Sequence, residues 1–130
     1  MKKILSIFLL ASVAVFSAIA QTGPIVKTVY GKLRGVEEDG IKVFKGVPFA
    51  QPPVGELRWK APQPLKPWKG IRAAVEFGPN PMQQNLFGDM MFSTDKMSED
   101  CLYLNIWTPT NTYNEKLPVF IYFNGGRRKK

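Results

Sequence analysis

Beyond the first twenty residues, the serine and cysteine nucleophiles of this chain are Ser93, Ser98 and Cys101. A serine or thiol that attacks an acyl carbon needs a base to take its proton, usually a histidine steered by an acid. The chain contains no histidine, which excludes a Ser-His-Asp or Cys-His mechanism within it. Ser93 lies in a loop and Ser98 just before a strand-like run, and neither sits in the G-x-S-x-G setting of a strained strand-to-helix turn. We therefore assign no catalytic residue. The missing histidines also remove the commonest metal ligand, and no other ligand cluster appears. We expect no metal and no cofactor. A single cysteine cannot form an internal disulfide, so Cys101 is expected to be unpaired within the chain: buried, like most free cysteines, or else free to pair with another chain. One further feature is suggestive. The sequence IYFNGGRRKK carries strand-formers into Gly125-Gly126 and then into four cations. Taken alone, that Gly-Gly reads as an ordinary turn.

The charge is concentrated at the ends. The formal net charge is +8, and removing Lys2, Lys3, Arg127, Arg128, Lys129 and Lys130 leaves +2 for residues 21–126. A nucleic-acid partner needs cations clustered on a folded surface, and two terminal clusters do not supply that. The N-terminal pair precedes an apolar or small run from Ile4 to Ala20, which ends in the small-x-small pattern Ala18-Ile19-Ala20. This is the pattern of a secretory signal peptide over residues 1–20, with cleavage expected before Gln21. The run is short for a bilayer span of about 20 residues and no cationic stop follows it, so no stable membrane anchor is expected. The expected location is secreted or periplasmic.

The elements behind these residues are mostly strands. Pro24 to Tyr30 is rich in β-branched residues, Lys32 to Val36 offers a second strand, and Asp39-Gly40 is a strong hairpin signal before Ile41 to Phe44. A small antiparallel sheet is expected there. Residues 46–81 are crowded with Pro and Gly and read as irregular backbone, with at most a helical turn between Gly70 and Glu76. Phe49, Trp59, Trp68 and Phe77 follow neither helical nor strand period, so this segment is expected to be ordered by docking its rings onto a larger body. Residues 82–97 read as a loop whose methionines fill gaps. Cys101 to Trp107 and Leu117 to Phe123 read as two strands joined by a polar turn. The second is nearly unbroken apolar sequence, as in strands covered on both faces, yet no amphipathic helix is present to cover it.

Three stretches carry a resemblance: GVPFAQPPVGELRWKAPQPLKPW (46–68), SEDCLYLNIWTP (98–109) and LPVFIYFNGG (117–126). In type and order they resemble the type-B carboxylesterase/lipase family, the cholinesterase-like branch of the α/β-hydrolases. The resemblance covers roughly 25–126, which in that family is the opening portion of one large catalytic domain. It implies an α/β-hydrolase fold, present here as an N-terminal fragment: a small antiparallel sheet, an irregular Pro/Gly-rich segment and the first strands of the central sheet. Residues 127–130 would be a basic tail outside the family pattern. The implied reaction is hydrolysis of a small-molecule carboxylic ester by a serine nucleophile. Gly125 and Gly126 match the start of the loop whose backbone N–H groups hold the oxyanion. The family usually has His or Tyr at Asn124, and a third glycine followed by an aromatic at Arg127 and Arg128. The family often pairs the cysteine at Cys101 with one near Pro81-Met82, where this chain has none. It also commonly pairs the arginine at Arg58 with the glutamate at Glu99, and that ion pair is expected here. Without an elbow serine or a histidine, the chain is expected to be an inactive portion of an esterase. The alternative is a non-catalytic secreted module using the same scaffold for protein contact.

Overall fold

A computed structural model describes residues 23–83, 96–109 and 115–123. It opens with four strands in succession: β1 (Ile25–Lys27), β2 (Lys32–Arg34), β3 (Val36–Glu38) and the longer β4 (Ile41–Pro48). The turn from β1 to β2 is built on Thr28. Its Oγ1 accepts the N–H groups of Tyr30 and Gly31 and donates to the Gly31 carbonyl at 2.9 Å. That satisfies the backbone of a tight turn with one side chain.

The single strand expected over Lys32 to Val36 is broken at Gly35. Gly35 is buried, and a Cβ there would collide with the Val43 carbonyl and the Phe44 ring. The chain bends at the one position that must lack a side chain. The Asp39-Gly40 hairpin forms as expected, with φ of 50° and 76°. Two successive positive φ values give a turn whose twist matches the flanking strands. Across this hairpin Glu37 stands opposite Lys42, and Lys45 Nζ lies 3.1 Å from Glu38 Oε1.

The strands form two three-stranded sheets. One has the order β1-β2-β5, with β5 at Ile71–Ala73; the other has the order β3-β4-β6, with β6 at Tyr103–Pro109. The first is antiparallel only in part, because β5 runs parallel to β2. Residues 71–73 form that strand instead of the expected helical turn. Ladder partners on β2 satisfy its backbone, and Gly70, at φ 78°, turns the chain into it. The helical turn lies earlier, a 3-10 turn at Gly55–Leu57. β6 starts later than the strand expected at Cys101 and pairs antiparallel with β4 from Ile41↔Pro109 to Pro48↔Tyr103. β4 is buried on both faces. Val43 is 1% exposed, with Val36 and Trp107 as its cross-strand neighbours. On the other face Phe44 joins Leu33, Val47 and Ala74 in a core against which Trp68 packs.

A bulge interrupts β4 between Phe44 and Val47. Lys45 turns its N–H out of the ladder and donates to the Ala74 carbonyl at 2.8 Å. Ala74 N–H donates in turn to the Arg34 carbonyl at 2.8 Å. Gly46, at φ 64°, donates its N–H to Asn105 Oδ1 at 2.9 Å. The extra residue bends β4 and, through Ala74, joins one sheet to the other.

The strand expected at Leu117 to Phe123 has no ladder partner among the described residues. Its Phe120 is 88% exposed and its Phe123 84%. A strand is defined by its neighbours, and this apolar run has none there.

Gly46 gives a direct test of the bulge. A left-handed backbone costs a residue with a Cβ about 1–2 kcal/mol, and a methyl group here would stand 2.5 Å from the Glu76 carbonyl oxygen. Gly46→Ala should lower the unfolding free energy by about 2 kcal/mol or more. The readout is a lower urea midpoint for the full chain.

Candidate functional site

The Pro/Gly-rich segment after β4 is ordered by backbone hydrogen bonds more than by its rings. Phe49 N–H donates to the Leu102 carbonyl at 3.1 Å, and Gln51 N–H to the Gln63 carbonyl at 2.9 Å. The Gln51 amide also reaches the Pro64 carbonyl at 2.8 Å. These bonds close the segment into a loop held against the entrance of β6. Of the four rings expected to dock, Trp68 does so. Its Nε1 donates to the Lys32 carbonyl at 3.1 Å, and its ring lies so close to Gly31 that a Cβ there would meet it at 2.5 Å. Phe49, Phe77 and Trp59 stay exposed, Trp59 at 91%. The Trp59 backbone is left-handed, φ 63°, an outlier for a bulky residue. It follows the 3-10 turn, where Arg58 N–H donates to the Gly55 carbonyl and Lys60 N–H to the Leu57 carbonyl.

That turn aims Arg58 at the segment before β6. Arg58 Nη2 lies 2.5 Å from Glu99 Oε1, with the two side chains 53% and 41% exposed. The structure thus brings together the two residues whose pairing the family resemblance implies. The neighbours of Glu99 are also engaged. Asp100 N–H donates to Ser98 Oγ at 3.1 Å, and Tyr103 OH donates to Asp100 Oδ2 at 3.0 Å. Ser98 is therefore an acceptor for a backbone turn, in a chain that has no histidine to activate it. Cys101 is free but half-buried, where full burial was expected. Burial pushes its thiol pKa up, and the carboxylates of Asp100 and then Glu99 add to the rise. Such a thiol is a poor nucleophile. Tyr103 is raised as well, first by burial and then by its bond to Asp100, against an opposing pull from Arg72.

A shallow cleft of about 240 Å³ lies beside this loop, lined by Gln51, Pro53, Leu57, Trp59, Pro62 and Leu102 among others. Its lining holds no serine, cysteine or carboxylate. Gly125, Gly126 and Ser93 lie outside the described residues. Two functional positions went unnoticed in the sequence. Asn105 caps the N–H left over by the β4 bulge, and Tyr103 ties its strand to Asp100. Asparagine inside a strand is uncommon, and that was the available signal for Asn105.

With the geometry in place, three comparisons bear on it. Residues 22–129 match the model of the carboxylesterase family. A medium-chain fatty acyl-CoA hydrolase precursor from Anas platyrhynchos is 40% identical over 141 residues, covering 95% of this chain and 25% of that protein. Phenmedipham hydrolase from Pseudarthrobacter oxydans is 44% identical over 109 residues, covering 81% of this chain and 22% of that protein. A solved structure of a PNB esterase superposes with TM-score 0.60 at 41% identity, over 70% of this chain and 18% of its own. The chain spans about a quarter or less of the length of these relatives.

Two outcomes follow from the local geometry. The Arg58–Glu99 pair is half exposed, so a double-mutant cycle with Arg58→Ala and Glu99→Ala should give a coupling of at most about 1 kcal/mol, shrinking with added salt. For Cys101, alkylation by iodoacetamide should rise at higher pH in the folded chain than in urea. The associated stability is present below the unfolded thiol pKa and is lost as pH climbs through the folded value. Asp100→Asn should move the folded profile back down.

Proposed function

This chain belongs to the carboxylesterase family, and we propose that it supplies the opening portion of an exported carboxylic ester hydrolase without being a complete catalyst. One observation carries the reading. The family match runs from residue 22 to 129, yet this sequence holds no histidine and no G-x-S-x-G. The α/β-hydrolase scaffold is present in its first strands, while the groups that would attack an acyl carbon are not.

In this reading Gly125 and Gly126 begin the loop that holds the oxyanion. When a serine oxygen adds to an ester carbonyl, the carbonyl oxygen becomes negative, and backbone N–H groups aimed at it stabilise the charge. Each such donor is worth roughly 3 kcal/mol in hydrolases where one was removed. Glycine suits the position because backbone must approach the substrate closely. The serine, its base and its acid would come from elsewhere in an esterase domain. Arg58 and Glu99 have a supporting role, holding the Pro/Gly-rich segment near the entrance of β6. The ester is a small molecule; the names of the relatives span an acyl-CoA hydrolase and a phenmedipham hydrolase, and support nothing narrower. Export rests on the cationic start and the apolar run from Ile4 to Ala20.

The purified chain, incubated with p-nitrophenyl acetate, should release p-nitrophenol no faster than buffer, and a fluorophosphonate probe should leave Ser93 and Ser98 unlabelled. Turnover that disappears on changing Ser93 or Ser98 to alanine would overturn the reading. Translation of the nucleotides that follow the Gly126 codon, in all frames, should reveal an aromatic soon after the glycines and a G-x-S-x-G further on.

A further inference from the structure

The sheet β1-β2-β5 has one face turned away from the core. Leu33 points inward and is 2% exposed, so Lys32 and Arg34 stand on the opposite face. The register places Lys27 directly beside Lys32, with Ile71 on its other side, and sets Ile25 and Ala73 to either side of Arg34. The pairing of β2 with β1 and with β5 thus gathers three cations and two isoleucines on one surface. Ile25 is 51% exposed and Ile71 45%. None of the three strands contains a carboxylate, and Lys69 adds a cation just before β5. Like charges directly opposite each other weaken a ladder. On the other sheet the cations are answered by Glu37 and Glu38; here Lys27 and Lys32 face each other with no acid in the sheet.

We propose that this face docks reversibly on an anionic lipid surface, with headgroup phosphates against Lys27, Lys32 and Arg34 and with Ile25 and Ile71 entering the headgroup layer. Charge complementarity calls for a polyanion, and the isoleucines select among polyanions. Long cationic side chains lie along apolar surface while their heads reach phosphate, and each Lys or Arg near an anionic bilayer raises binding roughly fivefold. A nucleic acid would meet the cations but leave the isoleucines in water. An acidic peptide adding as a strand would need a long free edge, and the edge strand β1 has three residues.

The test is local to the sheet, so binding through other parts of the chain does not register. The full chain is mixed with phosphatidylglycerol vesicles at low salt and acylated with an amine-reactive reagent, and each lysine is quantified by mass spectrometry. Lys60 and Lys66, exposed and outside this sheet, serve as references. Lys27 and Lys32 should be protected at least fivefold more than the references, with the difference lost on phosphatidylcholine vesicles and at high salt. In the double variant Lys27→Gln, Arg34→Gln, the protection of Lys32 should fall to the level of the references. Equal reactivity of all four lysines on anionic vesicles would overturn the proposal. So would selective protection by a DNA duplex or by polyglutamate where the vesicles give none.

Discussion

The backbone of Ala74 is the link on which the two sheets depend. Its N–H is bound by the Arg34 carbonyl at the end of β2, and its carbonyl by the Lys45 N–H in the bulge of β4. The residue is 1% exposed, so water cannot replace either partner. A buried backbone group left unpaired costs about 1–3 kcal/mol. The bulge meets that demand by aiming Lys45 away from its own ladder. The donor then left over at Gly46 is satisfied by the Asn105 side chain from β6. Three strands from two sheets are thereby fixed at one place.

From that link outward, the Pro/Gly-rich segment is positioned by what β4 delivers. The strand ends at Pro48, and the next residue bonds to Leu102 just before β6. The loop that follows returns through Gln63 and Pro64 and sends Arg58 to Glu99. The half-exposed ion pair adds little energy. It acts more as a guide to which surface of the loop meets the chain than as a source of stability. The cluster of Ser98, Asp100, Cys101 and Tyr103 beside it is occupied with backbone and side-chain hydrogen bonds or held in a neutral form. It is scaffold in character.

Much of this was legible in the sequence where a local rule governs. Asp39-Gly40 dictates its turn through φ alone, and the motif from Ser98 to Pro109 carries family, strand and ion-pair partner together. What was hidden depends on tertiary partners. Ile71 to Ala73 become a strand because β2 offers a parallel edge, which no three-residue pattern announces. The break at Gly35 follows from the closeness of Val43 and Phe44. The basic face was invisible because nearness in sequence does not say which neighbours share a face: the register sets Lys27 against Lys32 and brings Ile71 in from β5. Leu117 to Phe123 failed in the other direction. Its composition is that of a buried strand, but composition cannot provide the neighbours that make one.

The contact between Gly46 and Asn105 spans 59 residues, and that separation sets a timetable. At ribosomal speeds of about 5–20 residues per second, β4 emerges roughly 3–12 s before the strand that completes it. During that interval its bulge cannot be capped, and Val43 has Val36 beside it but lacks Trp107, its neighbour on the other side. Until β6 arrives, β4 is held by the β3 hairpin and by the Leu33 and Ala74 side of its core alone, so the last part of the sheet to close is also the part that caps its bulge.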